Sequence, residues 1–286
     1  MERLGPWPAR LTWLVLPVAC GPALGDALAG ASRPVQVVAS AGLWAGWAVI
    51  LVATLVPATV TLTALRIAAP AAVAAALAGA VAGGVEAVDV AGLAAAVVAA
   101  LAALWPVTGR VFADGSSYGD EARLPLRAPG PLLAGPVELV WLVVVAGLVT
   151  GPLLLAARQW ITGAVALAVG AIAVWWGVRV LHGLARRWIV FVPAGLVVHD
   201  PLALAESVLV PRATLRSLGP APADTEAVDL TRGAFGLALE LRLTDPAPVL
   251  VRRGRGKIEA VTTDRLLVTP TLPGALLTEA RTRRLA

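Results

Sequence analysis

The chain is 286 residues long, 58% hydrophobic and only 14% charged, whereas an ordinary soluble domain carries about 25% charged residues; this is the composition of an integral membrane protein. Its formal charge of +5 comes from arginine, Lys257 being the only lysine, and with the abundance of Ala, Gly and Pro it reflects coding bias rather than nucleic-acid binding. One cysteine, Cys20, excludes an internal disulfide and a cysteine metal cluster, and two histidines, His182 and His199, leave little for metal catalysis, so no metal or cofactor is expected.

In chain order, Arg3 and Arg10 precede an apolar run over residues 11–30 that has the layout of a signal peptide ending in Ala27-Leu28-Ala29. Because the run continues past Cys20 and further helices follow, it is read as an uncleaved first span. Residues 41–65 make the second, with Trp44 and Trp47 as aromatic anchors at one end, Arg66 at the other and Pro57 as a kink. Residues 70–84 and 90–105 are Ala-rich and flank Glu86 and Asp89, which fits two short spans with an acidic tip.

Residues 131–157 and 160–184 are each long enough to cross the hydrocarbon core, which about 20 helical residues span. Only Arg158 and Gln159 separate them, so the two helices must run antiparallel. With the turn there, residues whose numbers sum to about 317 lie at equal depth, as Glu138 and Arg179 do. They are expected to form an intramembrane ion pair, because an unpaired charge in lipid costs at least ~2.5 kcal/mol. Gly147, Gly151, Gly163 and Gly170 permit close helix contact.

The intervening segment, residues 106–130, is a polar loop holding Asp114, Ser116, Ser117, Tyr118, Asp120 and Glu121. Three carboxylates beside hydroxyls are ligands for a hard cation. Their spacing matches no calcium loop, however, and no His or Lys stands by to activate either serine. A turn-rich loop folded against the C-terminal domain is the expected arrangement.

Six spans place both termini on one side. Arg3, Arg10, Arg66, Arg110, Arg123, Arg127 and Arg186 then face Arg33 and Arg158 across the bilayer, and this seven-to-two bias makes the termini and the 106–130 loop cytoplasmic in a cell-membrane protein.

From residue 187 to 286 the pattern becomes β-rich. Residues 188–192 and 195–199 form a hairpin about Pro193-Ala194; 207–211, 214–218, 227–231, 237–243, 248–252 and 264–269 are further strands; and a helix opens at Pro270 or Thr271 and runs to Leu285. Arg252, Arg253, Arg255 and Lys257 form one basic run without the glycine spacing of a phosphate loop; it is a candidate contact for an anionic headgroup or a protein partner. Nucleic acid is not expected, since this segment has 13 Lys/Arg against 10 Asp/Glu and no aromatic platform.

The fold class is thus a membrane all-α bundle followed by a small β-rich domain with a C-terminal helix. That order of strands and helix, and the run Arg187-Trp188-Ile189-Val190-Phe191-Val192-Pro193-Ala194-Gly195-Leu196-Val197-Val198 leading directly out of a membrane hairpin, resemble the bacterial pleckstrin-homology-like domain. The whole chain is similar to multi-pass membrane proteins of high-GC bacteria that carry no assigned reaction. The resemblance implies a noncatalytic binding module, with the bilayer and a protein, peptide or anionic lipid as partners. The alternative is a transporter or channel component using Asp26, Glu86, Asp89 and the Glu138–Arg179 pair, although no internal repeat is present. A membrane enzyme using the 114–121 loop is a third reading. Composition sets no oligomeric state.

Overall fold

In the computed structural model, residues 5–83 and 86–285 are described; Arg3 and Gly84 of the sequence reading lie outside them. The chain divides into a helical unit, Met1–Phe112 with Leu139–His182, and a β unit, Ala113–Glu138 with Gly183–Ala286.

Seven helices lie along the membrane half: α1 (Trp7–Ala29), α2 (Arg33–Leu55), α3 (Thr59–Gly83), α4 (Ala87–Leu104), the short α5 (Pro106–Asp114), α6 (Pro136–Ala156) and α7 (Trp160–Ala185). All but α5 are long and apolar enough to cross a bilayer, so the chain is a multi-pass membrane protein. The second and third spans are displaced from the expected 41–65 and 70–84, because Pro57 ends a helix instead of kinking it. Val56, immediately before the proline, is driven out of the helical region to φ −115°, ψ 84°. The Thr61 hydroxyl then seals the break, donating to the Val56 carbonyl at 2.7 Å and accepting from the Ala58 N–H at 3.0 Å. As a result Arg66 falls inside α3 instead of closing a span.

One proline within a helix is compensated by a neighbour. Pro17 has no N–H for the Trp13 carbonyl, and the Trp47 indole N–H of α2 fills that place at 3.0 Å while the Trp13 indole N–H donates to the Trp47 carbonyl at 3.0 Å. Trp47 is therefore an interhelical fastener, not an interface anchor. The expected acidic tip is a capping box: Asp89 accepts from the Glu86 N–H at 2.9 Å, and the Glu86 carboxylate returns the bond at the start of α4. Gly92 of α4 lies against Ala19 and Cys20 of α1, whose thiol donates to the Gly92 carbonyl at 3.3 Å.

The α6–α7 turn sits at Arg158, as expected. Arg158 adopts φ 61°, and the Gln159 and Arg158 N–H groups bond to the Leu154 and Leu155 carbonyls, each at 2.9 Å, closing α6 with a Schellman motif. The equal-depth register holds as well. A Cβ on Gly170 would lie 2.5 Å from the Gly147 carbonyl oxygen, and one on Gly151 would lie 2.6 Å from the Leu167 Cα.

The β unit has two antiparallel-dominated sheets. One is ordered β1 (Ala122–Pro125), β2 (Trp188–Val192), β3 (Gly195–His199), β4 (Val208–Pro211); the other is β5 (Leu215–Pro220), β7 (Leu239–Arg252), β8 (Ile258–Val268), β6 (Val228–Asp229), with β6 parallel to β8. Strands expected at 237–243 and 248–252 are one long strand, β7. Asp245-Pro246 lies in a register shift between Arg242 and Ala247, where a proline withholds no ladder hydrogen bond. The period of two survives inside it: Leu239, Leu241 and Leu243 are buried, while Leu237 precedes the strand and is exposed. Ile189, Phe191, Leu196 and Val198 face them from the first sheet, and α8 (Pro273–Thr282) adds Leu276 and Ala280 to the same core.

Strand β1 was not expected. Ala122 pairs with Phe191 and Pro125 with Trp188, and Leu124 and Leu126 join the core. The domain expected at 187–286 thus takes one edge strand from the segment between α5 and α6, and the loop's expected packing against the C-terminal domain is a full strand pairing.

Candidate functional site

Two of the three carboxylates of the 114–121 segment, Asp114 and Glu121, are engaged in shaping the turn ahead of β1. Asp114 accepts from the Ser117 hydroxyl and from the Arg123 N–H, both at 2.8 Å. Glu121 pairs with the Arg123 guanidinium at 3.2 Å and accepts from the Tyr118 N–H at 3.4 Å. Tyr118, Ser116 and Asp120 are at the surface. Among the described residues no group of three His, Cys, Asp or Glu side chains could hold a metal ion.

The basic run caps the β7–β8 hairpin but does not present four free cations. Arg252 turns inward and donates to the Leu204 carbonyl at 3.0 Å, while Arg253 pairs with Glu259 at 2.7 Å. Lys257 is exposed, and the Arg255 side chain lies outside the described residues.

Glu138 and Arg179 each have a local partner in place of the expected pairing. Glu138 accepts from the Gly135 N–H at 3.0 Å at the start of α6, and the Arg179 guanidinium lies 3.9 Å from the centre of the Trp175 ring. Among the described residues neither is in a salt bridge. The reason is azimuthal. Gly147 and Gly170 mark the faces in contact, and each charged residue is nine positions from the glycine of its own helix; at about 100° per residue that is half a turn, so equal depth coincides with opposite faces.

The feature that gathers unusual chemistry is the outer face of the first sheet. The register sets Arg123 beside Val190 and Val197, and Trp188 beside His199. Together with Glu121, Val192 and Ser207 they line a groove of about 230 Å³. The His199 ring stacks on Trp188 with centroids 5.0 Å apart, its Nδ1 is 2.8 Å from the Ser207 hydroxyl, and its Nε2 is buried with no hydrogen-bond partner among the described residues. Burial pushes the His199 pKa below its ordinary 6.5; Arg186 and Arg123 push the same way and Asp200 opposes them, which favours the uncharged ring. The Arg123 guanidinium lies 5.7 Å from the Trp188 ring centre, and its Nε is likewise buried without a partner.

Ser207 and His199 have the spacing of a nucleophile and its base, but the contact uses Nδ1. Asp200, the next residue, turns away to meet Arg187, so it does not orient the imidazole in the manner of a triad. The groove has an aromatic and aliphatic wall, and His199 Nε2 and Arg123 Nε are buried beside it.

Two polar networks escaped the sequence reading. Arg187 and Asp200 are buried as a bidentate pair, and Arg187 also donates to the Arg127 carbonyl. On the second sheet Glu240, nearly enclosed, accepts from Thr225 and Arg242 beside a smaller concavity of about 160 Å³. Burial pushes the Glu240 carboxyl up, but the bonds from Thr225 and Arg242 outweigh it and hold its pKa below the ordinary carboxylate value. The hairpin about Pro193-Ala194 could have placed Trp188 opposite His199; no local pattern announces Arg187–Asp200.

Comparison of the chain with family models, with curated proteins and with solved structures finds no match.

Proposed function

We propose that this is a noncatalytic protein of the cell membrane whose β unit is cytoplasmic, resembles the bacterial pleckstrin-homology-like domain, and binds a protein or peptide segment in the Trp188–His199 groove. The observation that carries the reading is the groove itself: an apolar wall bordered by two buried nitrogen atoms without partners, His199 Nε2 and Arg123 Nε. Two four-stranded sheets with a C-terminal helix support the resemblance, and the seven-to-two arginine bias supports cytoplasmic termini. An anionic headgroup is the other ligand class. Its case at the hairpin tip is weakened by the inward turn of Arg252 and the pairing of Arg253 with Glu259.

The test is photo-cross-linking of the full chain in native membranes, with Leu209→p-benzoylphenylalanine on the same sheet face. A discrete protein adduct that Trp188→Ala abolishes is the expected result. Adducts to lipid alone, or proteolysis of the β unit from outside intact cells, would contradict the reading. The second reading, a transporter or channel component, has one observation in its favour, the Arg66 guanidinium within α3.

A further inference from the structure

Arg66 lies in the third turn of α3, on the packed side of the helix. At about 100° per residue it falls within roughly 60° of the stripe formed by Leu62, Leu65 and Ala69, residues that are almost wholly enclosed. Its guanidinium rests against bare backbone: a Cβ on Gly109 of α5 would lie 2.6 Å from Arg66 Nη2. Its Nε is buried and has no hydrogen-bond partner, and among the described residues Arg66 belongs to no salt bridge. The same stretch of α3 is fixed by two other helices. The Trp141 indole N–H of α6 donates to the Ile67 carbonyl at 2.9 Å, and His182 Nδ1 of α7 is 2.9 Å from the Thr63 hydroxyl oxygen. Thr63 spends its one proton on the Thr59 carbonyl at 2.9 Å, so the imidazole N–H is the donor to Thr63.

A guanidinium keeps its proton and cannot be neutralised by burial. Water can satisfy an N–H group, but only an anion offsets the charge. From these facts we propose that Arg66 is the centre of a phosphate-type oxyanion site in the membrane unit, with the flat guanidinium edge held open by Gly109. Seven residues past the start of α3, Arg66 lies about 10 Å along the helix from its end. This is a depth at which a lipid phosphate drawn inward, or an oxyanion entering from the aqueous side, can be met by a planar fork that matches two oxygens. The site does not depend on the proposed function of the β unit.

The test uses the full chain in maltoside detergent micelles, which carry no phosphate, with thermal unfolding followed in three arms: no addition, inorganic phosphate, and added phosphatidylglycerol. An anion that binds only the folded state raises the melting temperature saturably. A rise with phosphatidylglycerol only assigns the site to a lipid headgroup, and a rise with inorganic phosphate assigns it to a soluble oxyanion; either supports the site. Arg66→Gln should abolish the rise, Arg66→Lys should retain part of it, and Arg33→Gln should leave it intact. Should Arg66→Gln fail to fold, the wild-type arms together with Gly109→Ala, which displaces the guanidinium, decide the matter. No rise in the wild type, or an equal rise in Arg66→Gln, overturns the proposal.

Discussion

Arg187 and Asp200 meet through two parallel hydrogen bonds, 2.8 Å from Nε to Oδ1 and 2.7 Å from Nη2 to Oδ2, with side chains only 1% and 0% exposed. Asp200 also accepts from the N–H groups of Leu202 and Ala203, and Arg187 reaches the Arg127 carbonyl. One ion pair therefore ties the second residue after the last membrane helix, the β3 end and the segment from which β1 comes.

Removing one partner leaves the other charge buried and uncompensated. Asp200→Ala should destabilise the β unit by about 3–5 kcal/mol, read as a large loss of hydrogen-exchange protection in β2 and β3. Asp245→Ala, at the exposed register shift within β7, should change protection little.

The segment 187–286 expressed alone lacks β1 and the burial contributed by Leu124 and Leu126. Each such leucine is worth about 1.5–3 kcal/mol when fully buried. The isolated segment should therefore aggregate or give broad amide resonances, and a peptide covering residues 119–130, added during refolding, should restore dispersion.

His199 supplies a pH dependence of known sign. Its folded pKa is depressed by burial, with Arg186 and Arg123 adding and Asp200 opposing, so the unfolded chain binds a proton that the folded one resists. The stability it contributes is complete above the ordinary value of 6.5 and falls as pH is lowered through it. Thermal unfolding of the full chain at pH 7.5 and pH 5.5 should show a larger loss for the wild type than for His199→Gln. The window stays above the range in which Glu240, whose pKa is also depressed, would lose its contribution.

In the α6–α7 hairpin the glycines outrank the charges. Gly170→Val places a Cβ 2.5 Å from the Gly147 carbonyl oxygen, and overpacking of this kind costs about 1–3 kcal/mol. Glu138, exposed and bonded to the Gly135 N–H, should tolerate replacement by Gln at about 1 kcal/mol or less. Thermal stability in detergent should rank the wild type and Glu138→Gln together, well above Gly170→Val.

Hydropathy made the six spans legible, and the short apolar runs on either side of Pro193-Ala194 located β2 and β3 at their observed bounds. The break at Pro57 was hidden because no charged residue interrupts residues 34–65 around it, so composition could not separate a kink from a stop. Strand β1 was invisible for a different reason. Four residues in a polar loop have no periodicity to display, and their pairing with β2 is a long-range contact. The hairpin arithmetic matches the facing of Gly147 and Gly170 but carried no information about which way the side chains of Glu138 and Arg179 turned. Arg66 looked like an interface residue only while α3 was thought to begin after it.

The groove that underlies the functional proposal needs Arg123 from one segment and Trp188 and His199 from another, so the β1–β2 register is the relationship to measure. Arg123→Cys with Val190→Cys should cross-link under copper phenanthroline in membranes, and the offset pair Arg123→Cys with Val192→Cys should not, since Arg123 pairs with Val190 and direct partners have Cβ atoms about 4.5–5.5 Å apart. Cross-linking of the first pair alone is the predicted result. A folded protein in which the first pair stays reduced, or in which the offset pair reacts equally well, would contradict the split β unit and the groove built on it.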